Sequence, residues 1–125
     1  MPVPMGTFRV DVIVSNLREP SRSHGVSLLV DTGATYTTLP RDIIEALRCE
    51  PIGARRVRLG DGREEEWPVT NVMLRLEGQE GPTFCLIGPR GGPALLGAVT
   101  LEEFALGVDP IARRLVPVTS YLACA

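Results

Sequence analysis

The chain has 125 residues, of which 44% are hydrophobic and 22% charged, and this composition is typical of a folded globular domain rather than a disordered segment. Its formal net charge is −2, and the 13 basic residues are all arginine and scattered, so no nucleic-acid partner is predicted. No apolar run is long enough for a signal peptide or a membrane span.

The three cysteines, Cys49, Cys85 and Cys124, lie far apart and lack C-x-x-C spacing. With a single histidine they do not make a zinc site, and a redox role is disfavoured by the same spacing. Reduced thiols fit an intracellular compartment. We therefore expect one cytoplasmic domain over residues 1–125, with no cofactor, metal ion or membrane partner.

The first half of the chain predicts strands followed by a helix. Alternating apolar residues over 7–16 indicate a half-buried strand, and the apolar run 26–30 indicates a more buried one. The segment 39–49 predicts a short helix, because Pro40 suits the first helical position and the following apolar residues share one helical face.

The middle of the chain predicts two hairpins. Asp61-Gly62 stands between two extended arms and is a strong signal for a tight turn. Strands are predicted over 70–78 and 82–88, joined by the loop EGQEG. At the base of the first hairpin, Trp67 is expected to pack against the domain. The arginines at 55, 56 and 58 are interpreted as a solvated strand face.

The C-terminal part predicts a second helix and a last hairpin. Thr100 and Glu103 have the spacing of a capping box, so a helix is expected to begin at Thr100 and to stop at Gly107. Asp109-Pro110 then predicts a turn before a final strand. Short strands with two short helices indicate a mostly β, small barrel-like domain.

Asp31 is the residue most open to a catalytic interpretation, because it follows three aliphatic residues at the end of a predicted strand. His24 has no partnering nucleophile, so a Ser-His-Asp arrangement is not supported. A simple turn would also explain Asp31, since its carboxylate can bond nearby backbone donors and Gly33 permits the turn. The alternative is a carboxylate held for acid–base chemistry.

The surroundings of Asp31 resemble the retropepsin-like aspartic proteases, and most closely their bacterial stand-alone members. An apolar strand leads into D-T-G-A, a glycine-tipped hairpin follows, and ALLGAVTL comes later in the chain. The resemblance implies a small closed β-barrel-like fold with one flap hairpin. The matching positions are Asp31, Thr32, Gly33 and Ala34 for the catalytic loop, Leu95, Leu96 and Gly97 for the segment beneath it, and Gly60, Asp61 and Gly62 for the flap.

The resemblance also implies an aspartic endopeptidase that acts on peptides or proteins as a homodimer. Two nearby carboxyls share one proton and so act as acid and base. This chain has one D-T-G, which excludes the two-lobed pepsin arrangement, and a two-fold dimer would supply the second Asp31. Thr32 is then expected to bond across the axis, with the terminal segment SYLACA in the interface.

Three further points stay open at the level of sequence. A non-catalytic peptide-binding module with the same fold would also satisfy the pattern. The acidic run 64–66 could favour basic peptides or simply be solvated. Ala34 lacks the hydroxyl that many pepsin-type sites carry at that position, so activity is expected to reach toward mildly acidic or near-neutral pH.

Overall fold

The computed structural model describes residues 7–120, and this part of the chain is mostly β, as predicted. Two six-residue helices accompany the strands. In chain order the elements are β1 (Arg9–Ser15), β2 (Ser23–Val30), β3 (Thr37–Pro40), α1 (Arg41–Ala46), β4 (Gly53–Arg58), β5 (Glu64–Leu76), β6 (Gln79–Gly88), β7 (Leu95–Leu96), α2 (Ala98–Glu103), β8 (Leu106–Asp109) and β9 (Arg114–Pro117).

Seven of these strands form one sheet in the order β1-β2-β7-β3-β6-β5-β4. β1 also pairs with the far end of β5, from Ile13 opposite Arg75 to Ser15 opposite Met73, so the sheet curls into a ring. The right-handed twist of paired strands favours this closure. β8 and β9 form a separate antiparallel pair. The small barrel-like architecture predicted from the sequence is therefore confirmed.

The core fills the inside of the ring and follows the strand alternation. In β1, Val12 and Val14 are buried while Ile13 between them is 41% exposed, which confirms the predicted half-buried strand. Leu28 and Leu74 have no exposed surface. No helix within residues 7–120 is both long and apolar enough to cross a membrane.

The first helix and the first hairpin are both present where the sequence predicts them, although the start of the helix differs. α1 begins one residue later than expected, because Pro40 caps it from the end of β3, and Ile44 is buried on its inner face. The hairpin at Asp61-Gly62 is present, closed by the Leu59 N–H, which donates to the Arg63 carbonyl over 2.8 Å.

The second hairpin is tighter than predicted. Its first arm, β5, runs unbroken from the first hairpin to Leu76, and the turn is only Glu77-Gly78, with φ of 51° and 76°. The expected five-residue loop is wrong, since Gln79 already pairs with Leu76. Two residues of positive φ match the twist of the flanking strands, which is why so short a turn suffices.

The capping-box prediction at Thr100 is wrong. α2 begins at Ala98 after Gly97, without a side-chain cap, and Thr100 is buried inside it. The helix also ends earlier than Gly107, because Ala105 takes a left-handed φ of 53° and β8 starts at the next residue. The final hairpin through Asp109-Pro110 is confirmed by the β8–β9 pairing.

Candidate active site

Asp31 lies at the carboxyl end of β2, where the strand leaves the sheet. β2 runs parallel to β7, and the Asp31 N–H donates to the Leu96 carbonyl over 3.0 Å. The strand behind it is apolar, with Leu28 and Val30 buried. We call residues 31–36, which connect β2 to β3, the Asp31 loop. A fixed strand therefore determines where the carboxylate stands.

The Asp31 carboxylate is held by its own loop. Its Oδ1 accepts from the Gly33 N–H at 3.0 Å, and the Ala34 N–H donates to the Asp31 carbonyl at 3.1 Å. This is an Asx-type turn. A Cβ at Gly33 would lie 3.3 Å from Oδ1 and press on the carboxylate. Asp31 is half-buried, Thr32 and Gly33 are exposed, and no side chain within residues 7–120 hydrogen-bonds to this carboxylate.

The start of α2 supports the Asp31 loop from beneath. The Ala98 N–H donates to the Ala34 carbonyl at 2.8 Å, and the Val99 N–H donates to the Thr35 carbonyl at 2.9 Å. A Cβ on Gly97 would lie 2.4 Å from the carbonyl carbon of Tyr36, so glycine alone fits this contact. The segment Leu95-Leu96-Gly97 is thus brought against the loop that carries Asp31.

Three buried threonines, Thr37, Thr100 and Thr83, continue this support. Together with Glu103 they are called the hydroxyl chain. The Gly97 N–H donates to Thr37 Oγ1 at 3.1 Å, Thr37 Oγ1 lies 2.6 Å from Thr100 Oγ1, and that atom lies 2.7 Å from Thr83 Oγ1. Thr83 donates to Glu103 Oε1 at 2.7 Å. Since the carboxylate can only accept, each hydroxyl donates toward it and every hydroxyl proton is used.

Sequence reasoning missed the hydroxyl chain although part of its signal was visible. The spacing of Thr100 and Glu103 was interpreted as a cap, whereas both side chains meet Thr83 on the neighbouring strand. Thr38 is not part of this chain, since its hydroxyl makes only a 3.4 Å contact with the Tyr36 carbonyl. The buried anchor is its neighbour Thr37.

The hairpin β4–β5 has two different faces. On the outer face, Glu64 pairs with Arg58 at 2.8 Å and with Arg56 at 3.7 Å, which supports the solvated interpretation of the acidic run. On the inner face, Arg55 stands opposite Trp67. The Trp67 ring packs at the hairpin base, 3.4 Å from where a Cβ of Gly88 would be, as expected.

The tip of the hairpin is exposed and held only by its own residues. Gly62 has a φ of 90° and donates to the Leu59 carbonyl at 2.9 Å. Asp61 accepts from the Arg63 N–H at 3.0 Å and from its Nε at 2.6 Å. Both bonds hold the pKa of Asp61 below its ordinary value, and the bond from the Arg63 backbone N–H contributes more than the bond from its side chain. Gly60 is exposed beside them.

A stack of three side chains, Arg55, Phe84 and Tyr36, joins the hairpin to the Asp31 loop. Phe84 in β6 meets Tyr36 edge-on, with ring centroids 5.1 Å apart and planes at 60°. The guanidinium carbon of Arg55, in β4, lies over the Phe84 ring, 5.0 Å from its centroid. Contacts of both kinds are favourable for an aromatic ring.

The thiols and the histidine do not offer competing chemistry. Burial, with a smaller contribution from Cys49, raises the pKa of the Cys85 thiol to about 12, so it does not form a thiolate nucleophile at neutral pH. Cys124 lies outside the described residues. His24 is exposed in β2. Within residues 7–120, no group of His, Cys, Asp and Glu could hold a metal ion.

A sequence-family model described as "Aspartyl protease" matches residues 21–108, a range that contains Asp31, the hairpin and β7. The chain belongs to the aspartyl protease family. The resemblance predicted from D-T-G-A and its surroundings is therefore confirmed. A comparison with curated protein sequences finds no match.

Solved structures of retroviral proteases share the fold of this aspartyl protease. The EIAV protease complexed with the inhibitor HBY-793 aligns with a TM-score of 0.63 at 18% identity, covering 77% of this chain and 86% of that one. The simian foamy virus (mac) protease aligns with a TM-score of 0.54 at 18% identity, covering 78% and 94%. At this identity the likeness establishes the fold alone.

Proposed function

We propose that this aspartyl protease is an endopeptidase whose active site forms when two copies bring their Asp31 carboxyls together across a two-fold axis. The observation that carries the proposal is the contrast between the two sides of the Asp31 loop. Its inner side is fixed by β7 and α2, while Thr32 and Gly33 are exposed and Asp31 has no side-chain partner within residues 7–120. A second copy would supply the missing carboxyl and cover that exposed surface.

The chemistry requires two carboxyls with one proton between them. The ionised carboxylate takes a proton from water as the water oxygen attacks the carbonyl carbon of the scissile bond. The protonated carboxyl gives its proton to the carbonyl oxygen, which produces a tetrahedral diol. Collapse of the diol breaks the C–N bond: the carboxyl that took the proton from water gives it to the leaving nitrogen, a diol hydroxyl returns its proton to the other carboxylate, and the dyad is again singly protonated. The shared proton belongs to the pair, because two adjacent carboxylates repel.

The other residues of the site have supporting roles in this proposal. The Gly33 N–H orients Asp31, and Thr32 bonds to its counterpart across the axis. The hairpin tip Gly60-Asp61-Gly62 is the flap that closes over the bound peptide and excludes water. The terminal segment SYLACA, largely outside the described residues, would complete the dimer.

The test compares the natural protein with Asp31→Asn on a mixture of peptides of varied sequence, with products identified by mass spectrometry. The amide cannot act as a base, so we expect cleavage to be lost while the melting temperature is kept or rises, since a like-charge contact is removed. Sedimentation of both proteins should show dimers. Cleavage by the variant at the natural rate would refute the proposal, and peptide binding without cleavage by the natural protein would favour the non-catalytic module.

A further inference from the structure

Arg55 is distinguished from its neighbours by where the strand alternation places it. Arg56 and Arg58 lie on the outer face of the hairpin, where both are within ion-pair distance of Glu64. Arg55 lies on the inner face, opposite Trp67. The two faces of the same strand therefore carry arginines in different electrostatic situations.

The Arg55 guanidinium has no carboxylate partner within the described residues. Each salt bridge there joins other side chains, and every Asp and Glu of the chain falls between residues 7 and 120. The Arg55 Nη1 donates only to the neighbouring Ala54 carbonyl, at 3.0 Å. Several other arginines also lack a carboxylate, but Arg55 alone among the described residues stacks on an aromatic ring.

The stack fixes this free cation beside the Asp31 loop. The Arg55 guanidinium carbon lies 5.0 Å from the Phe84 centroid, and the Phe84 ring lies 5.1 Å from that of Tyr36, the last residue of the loop. A guanidinium carries five N–H donors, and among the described residues only Arg55 Nη1 has an acceptor, the Ala54 carbonyl, so the other donors remain free. An anionic group entering along the inner face would meet those donors.

The inner face holds one acidic side chain, and it is already engaged. Glu65 accepts from Trp67 Nε1 at 2.9 Å and lies 3.7 Å from Arg63 Nη1. Its partners are therefore Trp67 and Arg63, and it makes no ion pair with Arg55. The charge of Arg55 remains available to a ligand.

We propose that Arg55 is a specificity-determining residue that binds the carboxylate of an Asp or Glu side chain in the substrate, a few positions from the scissile bond. This inference rests on the proposed peptidase function and deepens it. A guanidinium forms paired hydrogen bonds with a carboxylate, and closure of the hairpin would exclude water from that contact. In a two-fold dimer, one Arg55 would flank each side of the bound peptide. The site thus selects acidic peptides, contrary to the basic preference that residues 64–66 could have suggested.

The experiment uses peptides that are acetylated and amidated at their ends, so that any carboxylate is a side chain. A position scan compares Glu with Gln at each position around a cleaved bond, for the natural protein, Arg55→Gln and Arg56→Gln. We expect kcat/KM to favour Glu by about five- to tenfold at one position, as one partly shielded charge pair would give. Arg55→Gln should abolish this ratio, and Arg56→Gln, on the outer face, should preserve it. Added salt should reduce the preference.

A charge reversal and a binding measurement keep this inference separate from the proposed function. Arg55→Glu should shift the preference at the same position from Glu to Lys. The binding arm uses Asp31→Asn protein, with and without Arg55→Gln, and measures by mass spectrometry which peptides it retains. Retention of acidic peptides that depends on Arg55 would support the inference even if no peptide is cleaved. Equal Glu-to-Gln ratios for the natural and Arg55→Gln proteins would overturn it, while leaving cleavage intact.

Discussion

The support beneath the Asp31 loop and the tip of the β4–β5 hairpin are held together by opposite means. The support consists of the Gly97 N–H and three buried threonine hydroxyls, all of them hydrogen-bonded, and it ends at Glu103, an exposed residue. The hairpin tip is exposed and tied by surface charges such as the Arg63–Asp61 pair. Buried polar groups are costly to disrupt, whereas surface ion pairs contribute about 0–1 kcal/mol. The difference indicates one region built to stay fixed and another able to move.

The largest effect is expected from filling the contact beneath the loop. Gly97→Ala would place a methyl group 2.4 Å from the Tyr36 carbonyl carbon, so the loop or α2 must shift. Overpacking of this kind costs about 1–3 kcal/mol or more. We expect a clear loss of melting temperature together with near-complete loss of activity. Gly25→Ala is the matched control, because nothing lies within 4 Å of a Cβ there. A Gly97→Ala protein that melts and cleaves like the natural one would show that this contact is not tight.

The next effect concerns the hydroxyl chain. Thr100→Val keeps the shape of the side chain but removes the hydroxyl between Thr37 and Thr83. An unsatisfied buried polar group costs about 1–3 kcal/mol. Urea unfolding should show this loss, and kcat should fall more than KM changes, because the loop that positions Asp31 loosens. Thr119→Val, at an exposed position, should change neither. An unchanged free energy of unfolding for Thr100→Val would contradict the role of the chain.

A substitution at the hairpin tip, unlike those in the support, should affect turnover more than the free energy of unfolding. Gly62→Pro fixes φ near −65°, whereas Gly62 has a φ of 90°, and it removes the N–H that donates to the Leu59 carbonyl. We expect turnover to fall about tenfold or more while the free energy of unfolding falls by only about 1–2 kcal/mol, since the strain is confined to a tip that contributes little to the core. Steady-state kinetics and urea unfolding on the same preparation check this. Unaltered turnover would mean that the hairpin is not a flap.

The smallest effect concerns an exposed tie between α1 and the loop after β6. Asp42 accepts from the Gly91 N–H at 3.1 Å, and this bond lowers the pKa of Asp42 below its ordinary value. A carboxyl whose folded-state pKa is depressed stabilises the fold above its unfolded pKa, and the contribution is lost as pH falls through the folded value. Asp42→Asn should therefore melt slightly lower than the natural protein near neutral pH, and the difference should vanish in strong acid. A melting difference that grows on acidification would contradict this sign.

The elements predicted correctly were those with a local cause. The turn at Asp61-Gly62 and the alternation around Ile13 depend on neighbours in the chain, so a short stretch of sequence was enough to predict each of them. The start of α2 was misplaced because the Thr100 hydroxyl is used by Thr37, 63 residues away. Ring closure through β1 and β5 is equally non-local.

In the candidate site, too, the residues with a local sequence signal could be predicted, and those that depend on distant contacts could not. The role proposed for Asp31 could be predicted because its motif is contiguous and precedes a recognisable turn. Arg55 could not be separated from its neighbouring arginines, since its partner ring, Phe84, lies on a strand that joins the hairpin only through β5. The resemblance identified the loop and the segment beneath it, while the contacts that hold them together became visible only in three dimensions.

The central claim is that one active site needs Asp31 from two copies. The most direct measurement mixes the natural protein with Asp31→Asn at fixed total concentration, allows the subunits to exchange, and records specific activity against composition. If only dimers with two natural Asp31 residues are active, an equal mixture retains about one quarter of the full activity, and the curve is quadratic. Sedimentation must show that both proteins dimerise equally. A straight line, with about one half of the activity in the equal mixture, would show that each chain acts alone and would contradict the account.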